Sequence, residues 1–308
     1  MRTTPTVWLI TGVTGFLGKV VLADLIRRRE ELGVAELRVL VRSRGSKRAE
    51  ARFRETVAAS PCFAGLPANW QRLVTVLDGD LTDPALGLPD PARALEGVTH
   101  IVHSAATIEF DLPAAEAART NIDAALHLLA QAERIATLRR FVYVSTAYVT
   151  PHPGNEAAIP EALVTLPAPA EELVYALRSG LVTDEQLLAR TGHPNTYTLT
   201  KCLAEHLVLA RRGRVPVSIV RPSIISAARQ HPFPGWIDST AGFGAFVTLI
   251  GLGHLRAVVG DPAAKLDVVP VDDVSARIIS AAFDDSAEPT IRHAAAGLAA
   301  ASTVAQCW

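Results

Sequence analysis

The stretch Val7-Trp-Leu-Ile-Thr-Gly-Val-Thr-Gly-Phe-Leu-Gly18 decides the fold. A short apolar run passes straight into glycines at 12, 15 and 18, and a helical pattern follows at once. Glycines at this spacing allow a tight turn and a close backbone approach, leaving the N-terminus of the next helix to receive a pyrophosphate. Glycines also punctuate many turns, so a purely structural turn stays open on spacing alone. The context argues for the nucleotide. Apolar runs at 7–11, 37–41, 73–77, 100–103, 141–144 and 217–220 alternate with helical patterns at 17–32, 47–58, 91–95, 114–135 and 197–212. Short, near-continuous apolar strands alternating with helices predict a parallel sheet covered on both faces. The fold class is therefore α/β: a Rossmann-type doubly wound parallel sheet with a smaller, mixed C-terminal substrate-binding part. We place the dinucleotide-binding domain at 1–220, with an insertion at 150–195 beside the substrate, and the C-terminal part at 221–308.

With 308 residues, 49% of them hydrophobic and 20% charged, the chain can bury a sizeable core. A net charge of -1 gives no electrostatic case for nucleic acid. Cys62, Cys202 and Cys307 have no metal-like spacing and suggest no disulfide framework, which points to a reducing, cytoplasmic setting and no metal site. No run reaches the roughly 18 apolar residues of a membrane span. The nearest, 241–259, contains His254 and Arg256 and reads as a buried or amphipathic segment, with peripheral membrane contact as the lesser reading. Residues 60–71 read as a surface excursion. The end of the chain predicts a strand at 266–269, a helix at 271–283 and, after His293, an alanine-rich element cut short before Trp308.

The tip of the second strand selects the dinucleotide. A carboxylate there would bind a ribose 2′-hydroxyl; an arginine accommodates a 2′-phosphate. Here Val41-Arg-Ser-Arg44 is followed by Lys47 and Arg48, with no acid at the strand tip, so NADPH is expected over NADH. A solvated basic helix start is the bland alternative. Asp80, after the third strand, is placed to read an adenine edge, or is a turn carboxylate without a ligand. His103 reads as a strand-end histidine, and Ser104, Ala105 and Ala106 supply small residues where the chain passes a cofactor.

Tyr197 and Lys201 share a helix face, one turn apart. A nearby ammonium lowers the pKa of a phenol, ordinarily about 10, toward a usable acid. Cys202 points about 100° away from Lys201 and reads as a small buried hydrophobe.

These motifs, in this order, resemble the extended short-chain dehydrogenase/reductase superfamily. More narrowly, they resemble the reductase domain of fatty acyl-CoA reductases, the male sterility type of NAD-binding domain. The resemblance rests on Thr11 to Lys19, Val144-Ser-Thr-Ala-Tyr-Val149, and Asn195-Thr-Tyr-Thr-Leu-Thr-Lys-Cys-Leu-Ala-Glu205. It continues in Val220-Arg-Pro-Ser-Ile224, Pro234-Gly-Trp-Ile-Asp238 and Asp267-Val-Val-Pro-Val-Asp272. It implies Tyr197 as proton donor, Lys201 as the group that lowers the tyrosine pKa and holds the nicotinamide ribose, and Thr146, with Ser145 as the lesser choice, as the carbonyl's hydrogen-bond donor. Cofactor contacts are implied for Thr11, Gly12, Thr14, Gly15, Phe16, Leu17 and Gly18, for Arg42 and Arg44, and for Asp80 and Leu81. Ser104, Ala105 and Ala106 join them, as do Asn121 (through a proton-relay water, or as a structural asparagine), Pro222 and Ser223.

The implied reaction is NADPH-dependent reduction of a fatty acyl-CoA or acyl-carrier thioester to the aldehyde and on to the primary alcohol, without a catalytic thiol. The apolar run 236–255 suits an acyl-tunnel wall, although core packing would yield the same composition. Members of the family usually continue into a C-terminal helical region, so the chain reads as a reductase domain of a longer protein or as a minimal version. Rival readings are a reductase stopping after one hydride, a sugar-nucleotide epimerase or dehydratase on the same fold, and a non-catalytic dinucleotide-binding scaffold.

Overall fold

The computed structural model describes residues 5–151, 158–257 and 259–307; part of the 150–195 insertion and residues 258 and 308 therefore lie outside the described residues. The six apolar runs form strands β1 (Thr6–Thr11), β2 (Val34–Val41), β3 (Val74–Asp78), β4 (His100–His103), β5 (Arg140–Val144) and β6 (Val217–Pro222). Short β7 (Ile224–Ser226), β8 (Lys265–Leu266), β9 (Val268–Pro270), β10 (Thr290–Ala294) and β11 (Ser302–Thr303) follow. The central sheet has seven strands in the order β10-β6-β5-β4-β1-β2-β3, every pair parallel. The order reverses between β1 and β4, which opens a crevice at the strands' carboxyl ends.

Period-two alternation sends neighbouring side chains to opposite faces. Trp8 and Ile10 enter a core with the Phe16–Arg27 and Val271–Ala282 helices. Leu9 enters the other core, with the Ala124–Ala132, Ala170–Ser179 and Thr196–Ala210 helices. The expected doubly wound sheet is what the chain builds.

Several elements differ from expectation. The helix expected at 114–135 is interrupted by a π-helical turn, Arg119–Asp123, between Ala114–Ala118 and Ala124–Ala132. Its extra residue lets the Asn121 carbonyl accept from the Tyr143 hydroxyl at 3.5 Å, and such turns recur at functional sites. The expected strand at 266–269 splits at Asp267: β8 pairs with β11 and β9 with β7. Residues 60–71 are no mere surface excursion. Cys62, Phe63 and Trp70 are buried, and the rings of Phe63 and Trp70 stack 4.7 Å apart. In the apolar 241–259 run, the Phe243–Gly251 helix buries only Gly244, so most of this helix is not core. An unexpected strand just ahead of the alanine-rich end, β10, pairs with β6. The Val271–Ala282 helix packs on the sheet as well, so residues 221–308 share two elements with the layers built by the preceding chain.

Leu22, in the helix after the glycine turn, is fully buried. Leu22→Ala is expected to lower the unfolding free energy by about 2–5 kcal/mol, read from the urea midpoint.

Candidate active site

The glycine turn is shaped for close approach. Gly12 has a φ of +80°, and a Cβ placed on it would lie 2.7 Å from the Ala105 nitrogen and 2.8 Å from Ser104. On Gly18 a Cβ would fall 2.2 Å from the Gly12 carbonyl oxygen, so the first helical turn sits directly on the loop. Gly15 caps the Phe16–Arg27 helix without a side-chain hydrogen bond, and its first turn carries no acid. The backbone N–H groups of Phe16 and Leu17, with the Thr14 side chain at the rim, thus remain for an anion. Ser104 donates to the Thr11 carbonyl at 2.8 Å, and the Ala105 N–H reaches the Thr11 hydroxyl at 3.3 Å, stitching β1 to β4 beneath this turn. Ala106 continues that partly buried edge. Cradle, free helix terminus and small residues fit a dinucleotide.

At the outer end of the crevice, a cleft of about 700 Å³ is lined by Arg42, Ser43, Asp78, Gly79 and Asp80 among others. Arg42, on the solvent side, lies 3.6 Å from Asp80, whose carboxylate also accepts from Thr82. Burial opposes ionisation of Asp80, but Thr82 and Arg42 outweigh it and hold its pKa below the usual value. Leu81 is tied by its carbonyl to His127 at 3.0 Å. Arg44 is exposed and closes a small turn with Lys47. The acid absent from the β2 tip comes instead from the adjacent strand. Val41 pairs with Asp78, so the Asp78 carboxylate accepts from the Ser43 hydroxyl at 2.7 and 2.8 Å.

The reaction centre gathers at the other side of β4. Asn195 caps the Thr196–Ala210 helix, accepting from the Thr198 N–H at 2.9 Å, and so sets Tyr197 in the first turn and Lys201 in the second. Thr146, just past β5, caps a short 3₁₀ turn by accepting from the Tyr148 N–H at 3.3 Å, and its hydroxyl reaches the Pro222 carbonyl at 3.5 Å. The Thr146 hydroxyl is near enough to the Tyr197 phenol to favour its ionised form. Lys201 is 2% exposed; its Nζ donates to the Val144 carbonyl at 2.6 Å and lies 4.2 Å from the Tyr143 ring centre.

Burial dominates the electrostatics. It pushes the Tyr197 phenol up to about 12, with only Thr146 acting the other way. The Lys201 ammonium is turned to the Val144 carbonyl and the Tyr143 face. Lys201 itself is driven down to about 7 by desolvation, with Glu205 opposing. His103 is pushed down to about 3 by burial and then by Lys201; neutral, it shares a 2.8 Å hydrogen bond with Thr11. Cys202 is buried, its thiol raised to about 12 first by desolvation.

Asn121 bridges the crevice: its Oδ1 accepts from the Thr107 N–H and its Nδ2 donates to the Thr200 hydroxyl, both at 3.0 Å. Ser223 gives its hydroxyl to Asp267 at 2.6 Å. Two pairs escaped the sequence reading although their residues lie in the motifs quoted. Glu205 and Arg221 form an ion pair with no exposed side-chain surface. Lys19 meets Asp238 at 2.5 Å, alongside a Phe16–Trp236 ring contact at 5.3 Å. Among the described residues, no group of three or more His, Cys, Asp or Glu could hold a metal, and no helix is long and apolar enough to cross a membrane.

Fold and site together define a dinucleotide-binding Rossmann domain of the extended short-chain dehydrogenase/reductase class. The chain belongs to the male sterility protein family, whose model matches residues 10–278. It is 34% identical over 283 residues to fatty acyl-CoA reductase 1 of Gallus gallus, covering 89% of this chain and 54% of that protein. Fatty acyl-CoA reductase 2 of Mus musculus is 34% identical over 274 residues, covering 86% and 52%. The chain thus spans about half the length of these curated relatives. The crystal structure of the terminal R domain from the myxalamid PKS-NRPS biosynthetic pathway is similar with a TM-score of 0.72 and 25% identity, over 96% of this chain and 66% of that one.

Gly12→Ala adds a Cβ against Ser104 and Ala105 and forces an L side chain to positive φ. The expected result is loss of dinucleotide binding in a fluorescence titration, with stability reduced by about 1–3 kcal/mol.

Proposed function

We propose that this chain reduces fatty acyl thioesters, carried on CoA or an acyl carrier, with NADPH, first to the aldehyde and then to the primary alcohol. The observation that carries the reading is that Thr146, just past β5, lies beside the Tyr197 phenol, one helical turn from the buried Lys201. Across the crevice from them lies a glycine turn fitted to a dinucleotide. Relatives named fatty acyl-CoA reductase support the substrate class.

When bound, the reduced nicotinamide supplies a hydride to the thioester carbonyl carbon. Thr146 and Tyr197 hold the carbonyl oxygen with hydrogen bonds that strengthen as negative charge grows there. Tyr197, kept protonated by burial through the neutral range, gives its proton to that oxygen. Lys201, oriented by its bond to the Val144 carbonyl, is the group that would hold the ribose. The hemithioacetal hydroxyl then returns its proton to the Tyr197 phenolate as the C–S bond breaks, so that the thiolate departs and the aldehyde remains. A second round in the same site, with a second NADPH, delivers the alcohol. Ile108 and Phe110 are exposed, and the Phe110 ring is 5.7 Å from Tyr197; they offer an acyl chain an apolar surface beside the phenol. Arg42, at the β2 tip, supports recognition of the 2′-phosphate.

The test follows NADPH absorbance over a chain-length series of acyl-CoAs and aldehydes, with the products identified. Reduction of aldehydes alone would move the activity to a simple aldehyde reductase. In the same assay Tyr197→Phe is expected to lose about 10²-fold or more in turnover while NADPH affinity is kept; wild-type turnover would remove Tyr197 from the mechanism. Arg42→Ala is expected to weaken NADPH binding by about 10-fold or more with little effect on NADH. Equal affinity of the wild type for the two cofactors would refute the assignment of Arg42.

A further inference from the structure

Glu205 and Arg221 are wholly removed from water, with Arg221 Nη2 2.6 Å from Glu205 Oε2 and Nε 2.9 Å from Oε1. A buried ion pair is weak support for stability, since desolvation consumes most of the attraction. Its location is the informative part. Glu205 stands one turn beyond Lys201 on the same helix face. Arg221 immediately precedes Pro222, whose carbonyl accepts from Thr146, and its Nη2 also donates to the Ala162 carbonyl at 2.9 Å in the insertion. One guanidinium thus grips the helix bearing Tyr197 and Lys201, belongs to the strand behind Thr146, and holds the substrate-side insertion.

The groups around Lys201 are His103 from β4, Tyr143 from β5, Tyr197, Cys202 and Glu205 from its own helix, and Arg221 from β6. His103 is neutral, and burial keeps Tyr143, Tyr197 and Cys202 protonated. Glu205 is then the anion in this set, and it is the group that opposes the desolvation of the ammonium.

We infer that Glu205 and Arg221 are the positioning pair of the reaction centre: Glu205 keeps the Lys201 ammonium charged for the cofactor ribose, and Arg221 clamps that carboxylate while fixing the strand that carries Pro222. The inference rests on the reading of Lys201 given above. With no exposed side-chain surface, both act through Lys201 and Pro222 as positioning residues.

The test measures NADPH affinity against pH, by fluorescence titration, beside thioester turnover. The proteins compared are wild type, Glu205→Gln, Glu205→Asp, Arg221→Lys and the double variant Glu205→Leu/Arg221→Met. Wild-type affinity is expected to fall as rising pH removes the Lys201 charge. In Glu205→Gln that fall begins about one pH unit lower or more, because the anion is lost and an unmatched guanidinium repels the ammonium. Glu205→Asp restores part of the shift, and Arg221→Lys lies between. The double variant replaces the pair with apolar volume, an exchange that buried pairs often tolerate. It is expected to unfold cooperatively and yet keep the lowered pH limb, which a merely structural role would not produce. A folded Glu205→Gln or double variant with the wild-type limb overturns the inference. Failure of both to fold also overturns it, assigning the pair to the fold alone. Wild-type NADPH binding without thioester turnover would sink the proposed activity, while the affinity limbs still decide the role of the pair.

Discussion

Parallel register is the constraint on which the rest depends. Thr11 pairs with His103, His103 with Tyr143, and Tyr143 with Ile219, so one row crosses four strands near their carboxyl ends. Parallel strands all run the same way, which puts every loop that follows β1, β4, β5 and β6 on one edge of the sheet. The glycine turn, Ser104 and Ala105, Thr146 and Ser223 lie in those loops. A one-residue slip would turn Thr11 and His103 to opposite faces and separate the hydroxyl–imidazole bond that joins β1 to β4. The two apolar cores hold the register, because each strand feeds alternate side chains to both. Core packing and site geometry are thus one arrangement.

The same burial governs the chemistry. Removing water from the strand ends raises the Tyr197 phenol and depresses the Lys201 ammonium, so both drift toward their neutral forms. A phenol of that kind is a proton donor across the neutral range, and it does not have to ionise before reaction. A lysine of that kind has a charge that small changes in its surroundings can switch. The expectation that the ammonium lowers the phenol pKa came from adjacency on a helix. Adjacency says which groups are near; it does not say what solvent they have lost.

Residues with strong local signals were legible. The apolar runs at 7–11 and 100–103 stand out because buried parallel strands are apolar on both faces, and glycines at 12, 15 and 18 mark the turn that needs them. Thr146, Tyr197 and Lys201 were legible from motif and spacing. β10 was not: Thr290–Ala294 is an edge strand of mixed burial with no apolar run to mark it, just ahead of the alanine-rich end. The π-turn at Arg119–Asp123 left no trace, since one extra residue barely disturbs an alanine-rich periodicity. Glu205 and Arg221 were invisible for a deeper reason. A charged residue on a helix normally marks a solvated face, and only a partner sixteen positions away takes this one out of water. Asp78 likewise acts across strands, through pairing that no linear reading of the β2 tip contains.

The Pro234-Gly-Trp-Ile-Asp238 segment gains a different meaning once its contacts are known. Its last three residues open the 236–255 run, whose composition suits an acyl-tunnel wall. In the fold, Trp236 is buried against Phe16, and Asp238 pairs with Lys19 in the first turns of the helix that follows the glycine loop. Lys19 is a buried cation near a helix N-terminus, where the macrodipole disfavours positive charge, so an anion close by is a requirement of its burial. Ala228 and Trp236 close the segment on itself, the Ala228 N–H donating to the Trp236 carbonyl at 2.9 Å and Gly235 returning to Ala228 at 2.8 Å. The C-terminal part is thereby latched onto the loop that fits the dinucleotide phosphates. Any movement of the segment that frees Asp238 would leave Lys19 without its counter-charge a few residues from those phosphates. One ion pair thus fixes the Pro234–Asp238 segment against the helix that follows the glycine turn.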